Sequence, residues 1–137
     1  MNSENQVISF DMGIKNPWYS KIKRKEKVLE GRKAGGSWSF IKVGMFGYIT
    51  CGSESILVKV TKINYYDTLE EYLITETVAR CLPGIETLEE AKSIYCRFQI
   101  DAELLKTMNE EEVKVAEVKA EKIINSSRVQ AIYLELC

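Results

Sequence analysis

Apolar side chains recur along this chain with two different periods, and each change of period marks a new element. Residues 7–11 (Val-Ile-Ser-Phe-Asp) alternate imperfectly but are short and β-prone, which predicts a strand. Asn16-Pro17 then opens a helix, with Asn at the cap and Pro in the first turn, where its missing N–H costs nothing. Trp18, Tyr19 and Ile22 form the apolar side of that helix, and lysines take its other sides. Residues 28–33 read as a second strand, and Gly35-Gly36 followed by Ser-Trp-Ser reads as a mobile connection. Two runs rich in Ile, Val, Tyr, Phe and Thr, 45–51 and 55–65, are divided by Gly-Ser-Glu, which is a hairpin signal. In the second run Ile56, Val58 and Val60 share one face and Leu57, Lys59 and Thr61 the other, so one side is core and the other partly wet.

Helical periodicity takes over after residue 67. Thr68 with Glu71, and Thr87 with Glu90, each place a threonine three positions before a glutamate, the spacing that satisfies orphan amides at a helix start. The second helix continues through Leu88, Ala91, Ile94, Tyr95 and Phe98, and Leu82-Pro83-Gly84 supplies the turn before it. Asn109 with Glu112 predicts a third capped helix whose stripe runs Val113, Ala116, Ala120, Ile123. Residues 129–136 close the chain as an alternating strand, with Val129, Ala131 and Tyr133 opposed to Gln130, Ile132 and Leu134. Strands at both ends of a chain with local helices suit a small closed or half-closed β-barrel with few free edges, its ends covered by helices.

At 137 residues the chain fits one compact domain. Its 45% hydrophobic and 28% charged residues are those of a globule that folds alone. Apolar runs such as Ile56-Leu57-Val58 fall far short of the roughly 20 residues that cross a bilayer. The polar start carries no secretory pattern, so a cytoplasmic location is expected, or a nuclear one if the source is eukaryotic or viral. Histidine is absent, which excludes Ser-His-Asp and Cys-His catalysis and His-ligated zinc. Cys51, Cys81, Cys96 and Cys137 are too widely spaced to suggest a metal site or redox hairpin. No metal and no cofactor is therefore expected.

The net charge of −1 conceals a separation of sign. Eight basic residues against Glu26 and Glu30 occupy 15–33, whereas 66–122 holds fourteen acidic and seven basic residues. A local cationic band is what an anionic ligand meets at contact distance, whatever the whole-chain average.

Three blocks carry a family resemblance: Asn16-Pro-Trp-Tyr19 with the helix after it, Lys27-Val-Leu-Glu-Gly-Arg32, and Leu82-Pro-Gly84 leading to Ile94-Tyr-Cys-Arg-Phe98. With Ile41-Lys-Val-Gly44 and Ala131-Ile-Tyr-Leu-Glu135, they make the chain resemble the ASCH domain, a branch of the PUA-like superfamily. The expected fold is α+β, a PUA-like small β-barrel with covering helices. One ASCH domain would span 1–137, with a family-variable helical insert at about 99–127.

The resemblance implies a cleft beside the first helix that recognises RNA or a nucleobase. On a strand, Glu30 and Arg32 project from one face with Lys27 at its entrance. Arginine offers a planar donor fork to a phosphate or base edge, and glutamate accepts from an exocyclic amine. Trp18 or Trp38 would supply a stacking face, and Lys23 and Lys33 would attract a backbone. The expected ligand-binding set is Lys27, Glu30, Arg32, Trp18, Lys23 and Lys33, and the expected partner is RNA or a nucleotide. Blander readings stand beside these: Glu30 and Arg32 as a mere strand-surface pair, Trp18 as a core plug.

Some ASCH-like proteins resembling this chain are amidohydrolases that deacetylate 4-acetylcytidine with a lysine, a threonine and a glutamate. Lys27 matches their lysine, Glu30 stands at the threonine nucleophile position, and Pro83 or Gly84 falls where the later glutamate would be, with Glu86 out of register. An enzyme built this way would use Lys27 and Glu30 as catalytic residues, glutamate as base on water and lysine at the oxyanion. A third reading is a protein-interaction adaptor acting through the acidic helices. A monomer that binds no membrane is expected in each case.

Overall fold

The computed structural model describes residues 7–137. Five strands, β1 (Ile8–Gly13), β2 (Leu29–Lys33), β3 (Phe46–Cys51), β4 (Glu54–Tyr66) and β5 (Val129–Leu136), form one sheet in the order β1-β3-β4-β5-β2. The sheet curls into a half-barrel. Six helices accompany it: α1 (Trp18–Lys23), α2 (Leu69–Thr75), α3 (Val78–Cys81), α4 (Leu88–Arg97), α5 (Ala102–Lys106) and α6 (Glu110–Ser127).

The hairpin of β3 and β4 turns at Gly52, whose φ of +60° is open to glycine at no steric cost. The 13-residue β4 is long enough to reach across the sheet, and a bulge between Val60 and Lys62 bends it against β5. Before the bulge the expected alternation holds, with Val58 and Val60 buried and Lys59 and Thr61 exposed.

β5 lies between β4 and β2, and the edges of the sheet are β1, parallel to β3, and β2, antiparallel to β5. Two sequence expectations are revised. Because β5 is central, Val129, Gln130, Ala131 and Ile132 are all buried, and alternation disappears from its first half. On α6 the stripe keeps Val113, Ala116 and Ala120 but continues through Ile124, leaving Ile123 51% exposed.

The helix starts follow the sequence closely. Thr68, Thr87 and Asn109 accept from the backbone N–H groups of Glu71, Glu90 and Glu112, and Asn109–Glu112 completes the reciprocal box. The first helix departs from the expectation: Pro17, not Asn16, stands at its cap, and Asn16 acts from one residue further out, its Oδ1 accepting from the Ser20 N–H at 2.9 Å. Helix α2 packs on β4 and β5, and α4 and α6 pack on α2 and on each other. Of the described helices, none is long and apolar enough to cross a membrane.

Candidate functional site

The site forms where the edge strand β2 meets the end of β1 and the C-terminal end of α4. Glu30 and Arg32, two residues apart on β2, share a face, and Arg32 Nη2 donates to Glu30 Oε2 at 3.0 Å. The other carboxylate oxygen faces Lys27 Nζ at 3.4 Å. Lys27 comes from the loop before β2, and its Nζ also donates to the Cys81 carbonyl at the end of α3. Lys27, Glu30 and Arg32 thus form a row running outward, their side chains 0%, 8% and 23% exposed. Burial holds the Lys27 ammonium below its ordinary pKa, and the Glu30 carboxylate opposes that shift.

Arg32 is fixed on several sides. The same Nη2 reaches the Gly13 carbonyl at 2.8 Å, and the guanidinium lies over the Trp38 ring, 5.6 Å from its centroid. Its Nε is covered and has no protein partner among the described residues.

In front of this row lies a cavity of about 570 Å³, a size typical of small-molecule sites. Glu30, Arg32, Lys33 and Trp18 line it as a group, so β2 and α1 do converge on one hollow. Lys27 does not line it; it is buried beneath Glu30. Nor does Lys23, which points to the β3–β4 turn and pairs with Glu54 at 3.1 Å. Trp18 is only 8% exposed, so it is a core residue that contributes part of the wall. The half-exposed Phe98 and the partly buried Trp38 offer more open ring surface.

Sequence reading missed the far wall. Arg97 and Phe98 from the end of α4, then Gln99, Ile100, Ala102 and Leu105, line the cavity opposite β2. The segment after α4 therefore forms part of the cleft wall. The available signal was Ile100 and Leu105 following the α4 stripe without a helical partner of their own. Among the described residues, Lys15, Arg32, Lys33 and Arg97 oppose the single lining carboxylate of Glu30, so the hollow is cationic in a chain of net charge −1.

No family model and no curated protein matches the sequence. Solved archaeal structures do match. Hypothetical protein PH0355 is 26% identical, with a TM-score of 0.66 over 93% of this chain and 97% of its own. PF0455 from Pyrococcus furiosus, solved by solution NMR, is 26% identical with a TM-score of 0.61, over 93% of this chain and 96% of its own. The half-barrel with its helical layer is thus similar to both along nearly the whole chain.

Proposed function

We propose that this chain is an ASCH-type, PUA-like domain whose cleft binds a nucleotide, free or as a unit of RNA. The observation that carries this reading is the Glu30–Arg32 pair facing a cationic hollow walled by aromatic rings. A base has a π-face for Phe98 or Trp38 and polar edges for Arg32 and Glu30, and a phosphate answers the excess of cations. A purely apolar ligand would desolvate those charges and offer them no new partner.

The amidohydrolase reading has less support. It requires Lys27 to meet a developing oxyanion, yet its ammonium is turned to Glu30 and the Cys81 carbonyl behind the wall. The adaptor reading loses acidic surface to internal pairs: Glu117 with Arg97 at 2.9 Å and Glu121 with Lys92 at 3.0 Å.

The chain has two tryptophans, and both Trp18 and Trp38 line the cleft, so their fluorescence reports on its occupancy. Titration with short RNAs, ribonucleosides and nucleotides at low salt is expected to give a saturable change that weakens as salt rises. Arg32→Lys, which keeps the charge but loses the fork, is expected to weaken it. The absence of any saturable signal, confirmed by calorimetry, overturns the reading.

A further inference from the structure

Arg97 differs from every other cation around the cleft in how it is held. Its Nε donates to Glu117 Oε2 at 2.9 Å, and the same oxygen accepts from Ser93 Oγ at 2.5 Å. Glu117 sits on α6 and Ser93 one turn before Arg97 on α4, so Ser93 steadies the carboxylate that holds the guanidinium from α6. Glu117 lines the groove between α4 and α6 and takes no part in lining the cleft. Hydrogen bonds from Ser93 and Arg97 outweigh the effect of its burial and keep the Glu117 carboxyl below its ordinary pKa.

This arrangement uses the Nε edge for support. The terminal nitrogens Nη1 and Nη2 have no protein partner among the described residues, and the Arg97 side chain is 52% exposed. Arg32 is the reverse case. Its Nη2 is shared between Glu30 and Gly13, its Nε is covered, and its face is on Trp38. It can read an edge, but it has little left with which to neutralise a dianion. Lys27 is sealed away, and Lys15 and Lys33 carry single, flexible point charges. One oriented donor fork with no partner remains, on the wall opposite β2.

We propose that Arg97, oriented by Glu117, is the phosphate anchor of the cleft, so that its ligand is a phosphorylated nucleoside. This deepens the nucleotide-binding reading and rests on it. The α6 segment then serves the site from behind: it supplies a positioning residue, Glu117, that never touches the ligand. Two sources present this chemistry, a free nucleoside 5′-monophosphate and the 5′-phosphate end of an RNA.

The test compares each ribonucleoside with its 5′-monophosphate, and a short RNA bearing a 5′-phosphate with the same RNA bearing a 5′-hydroxyl, all by calorimetry at low salt. The phosphorylated member of at least one pair is expected to bind about tenfold tighter, the scale of one charge-assisted contact. The pair in which this advantage appears identifies the source. Arg97→Ala is expected to erase the advantage, read as the ratio of the two affinities within each pair. Arg97→Lys is expected to restore it only in part. Glu117→Gln separates positioning from simple charge. Removing a negative charge near the cleft would raise phosphate affinity if Glu117 acted only through its field, whereas loss of positioning lowers it. The expected result is a fall in the phosphate advantage at unchanged nucleoside affinity, with thermal melting confirming that each variant folds. If nucleosides bind but the phosphate advantage is absent or survives Arg97→Ala, the anchor is overturned and the nucleotide reading stands. A rise in Glu117→Gln overturns the positioning role. If neither nucleosides nor nucleotides bind, both readings fall together.

Discussion

Arg32 of β2 and Gly13 at the end of β1 lie on the two edge strands of the sheet, and Arg32 Nη2 donates to the Gly13 carbonyl at 2.8 Å. One side chain spans the gap that a closed barrel would fill with a backbone ladder. The same donor holds Glu30, so strand closure and cleft geometry depend on a single guanidinium. An open seam leaves room for a cavity beside it.

Replacing Arg32 should therefore disturb both. Hydrogen bonds to charged groups are each worth about 1.5–3 kcal/mol, so Arg32→Ala is expected to lower stability by roughly that amount. Arg32→Lys cannot span Glu30 and Gly13 with one planar group and is expected to recover less than half of the loss. Urea denaturation measures both. An unchanged midpoint in Arg32→Ala would mean that the seam is held without it.

The Lys27–Glu30 pair makes an asymmetric prediction. Glu30→Ala leaves a buried ammonium facing only a carbonyl, a change expected to cost about 3–5 kcal/mol. Lys27→Met leaves Glu30 its partner Arg32 and is expected to cost less. The pH dependence has a definite sign. Burial holds Lys27 below its ordinary value of 10.5, so the unfolded chain keeps a proton that the folded one releases. Stability attributable to this group rises with pH between the folded value and 10.5. The difference in unfolding free energy between wild type and Lys27→Met is expected to move in favour of wild type as pH rises through that window. A flat or opposite trend would refute the buried, depressed lysine.

How much of this was legible depends on the range of the interaction. Capping at Thr68, Thr87 and Asn109 is local, and its sequence signal survived folding unchanged. The shared face of Glu30 and Arg32 follows from strand pleating alone. Strand order is non-local: nothing in 129–136 announces a central strand, and its apparent alternation came from reading a doubly covered strand as a half-exposed one. Lys23 and Lys27 lie outside the cavity lining for the same reason from opposite sides. Glu54 across the molecule draws Lys23 away, and the Cys81 carbonyl draws Lys27 inward. Arg97 stands 65 positions beyond Arg32, and only the tertiary fold brings the two to one hollow.

Gly31, between the two site residues, has its own constraint. A Cβ there would meet Tyr72 Oη at 2.5 Å and Cζ at 2.6 Å. Tyr72 is fully buried, and its hydroxyl shares a 2.7 Å hydrogen bond with that of Tyr95, so the ring has nowhere to move. Gly31→Ala is expected to cost about 1–3 kcal/mol through overpacking. Adding Tyr72→Phe removes the closest clash and leaves the ring carbon, so the double variant is expected to recover part of that loss relative to Tyr72→Phe alone. A double-mutant cycle by denaturation reads the coupling, and strict additivity would argue against the contact.

Glu76 is the other buried carboxylate among the described residues, 2% exposed at the end of α2. Burial pushes its pKa up, but Asn64 Nδ2 at 2.8 Å, the Tyr133 hydroxyl and Tyr66 Oη at 2.5 Å all donate to it and leave the carboxyl below its ordinary 4.5. These donors come from β4 and β5, so Glu76 ties α2 to the middle of the sheet. A folded-state pKa below the unfolded one contributes stability that is complete above the unfolded value and is lost as pH falls through the folded value. Glu76→Gln keeps an acceptor but loses the charge, and at neutral pH it is expected to cost about 1.5–3 kcal/mol. As pH falls below the ordinary 4.5 and through the lower folded value the two proteins should converge, because protonation removes from wild type what the substitution removes at every pH. Paired urea titrations across the acid range test this, and a gap that stays constant on acidification would show that the carboxylate charge contributes nothing to the link between helix and sheet.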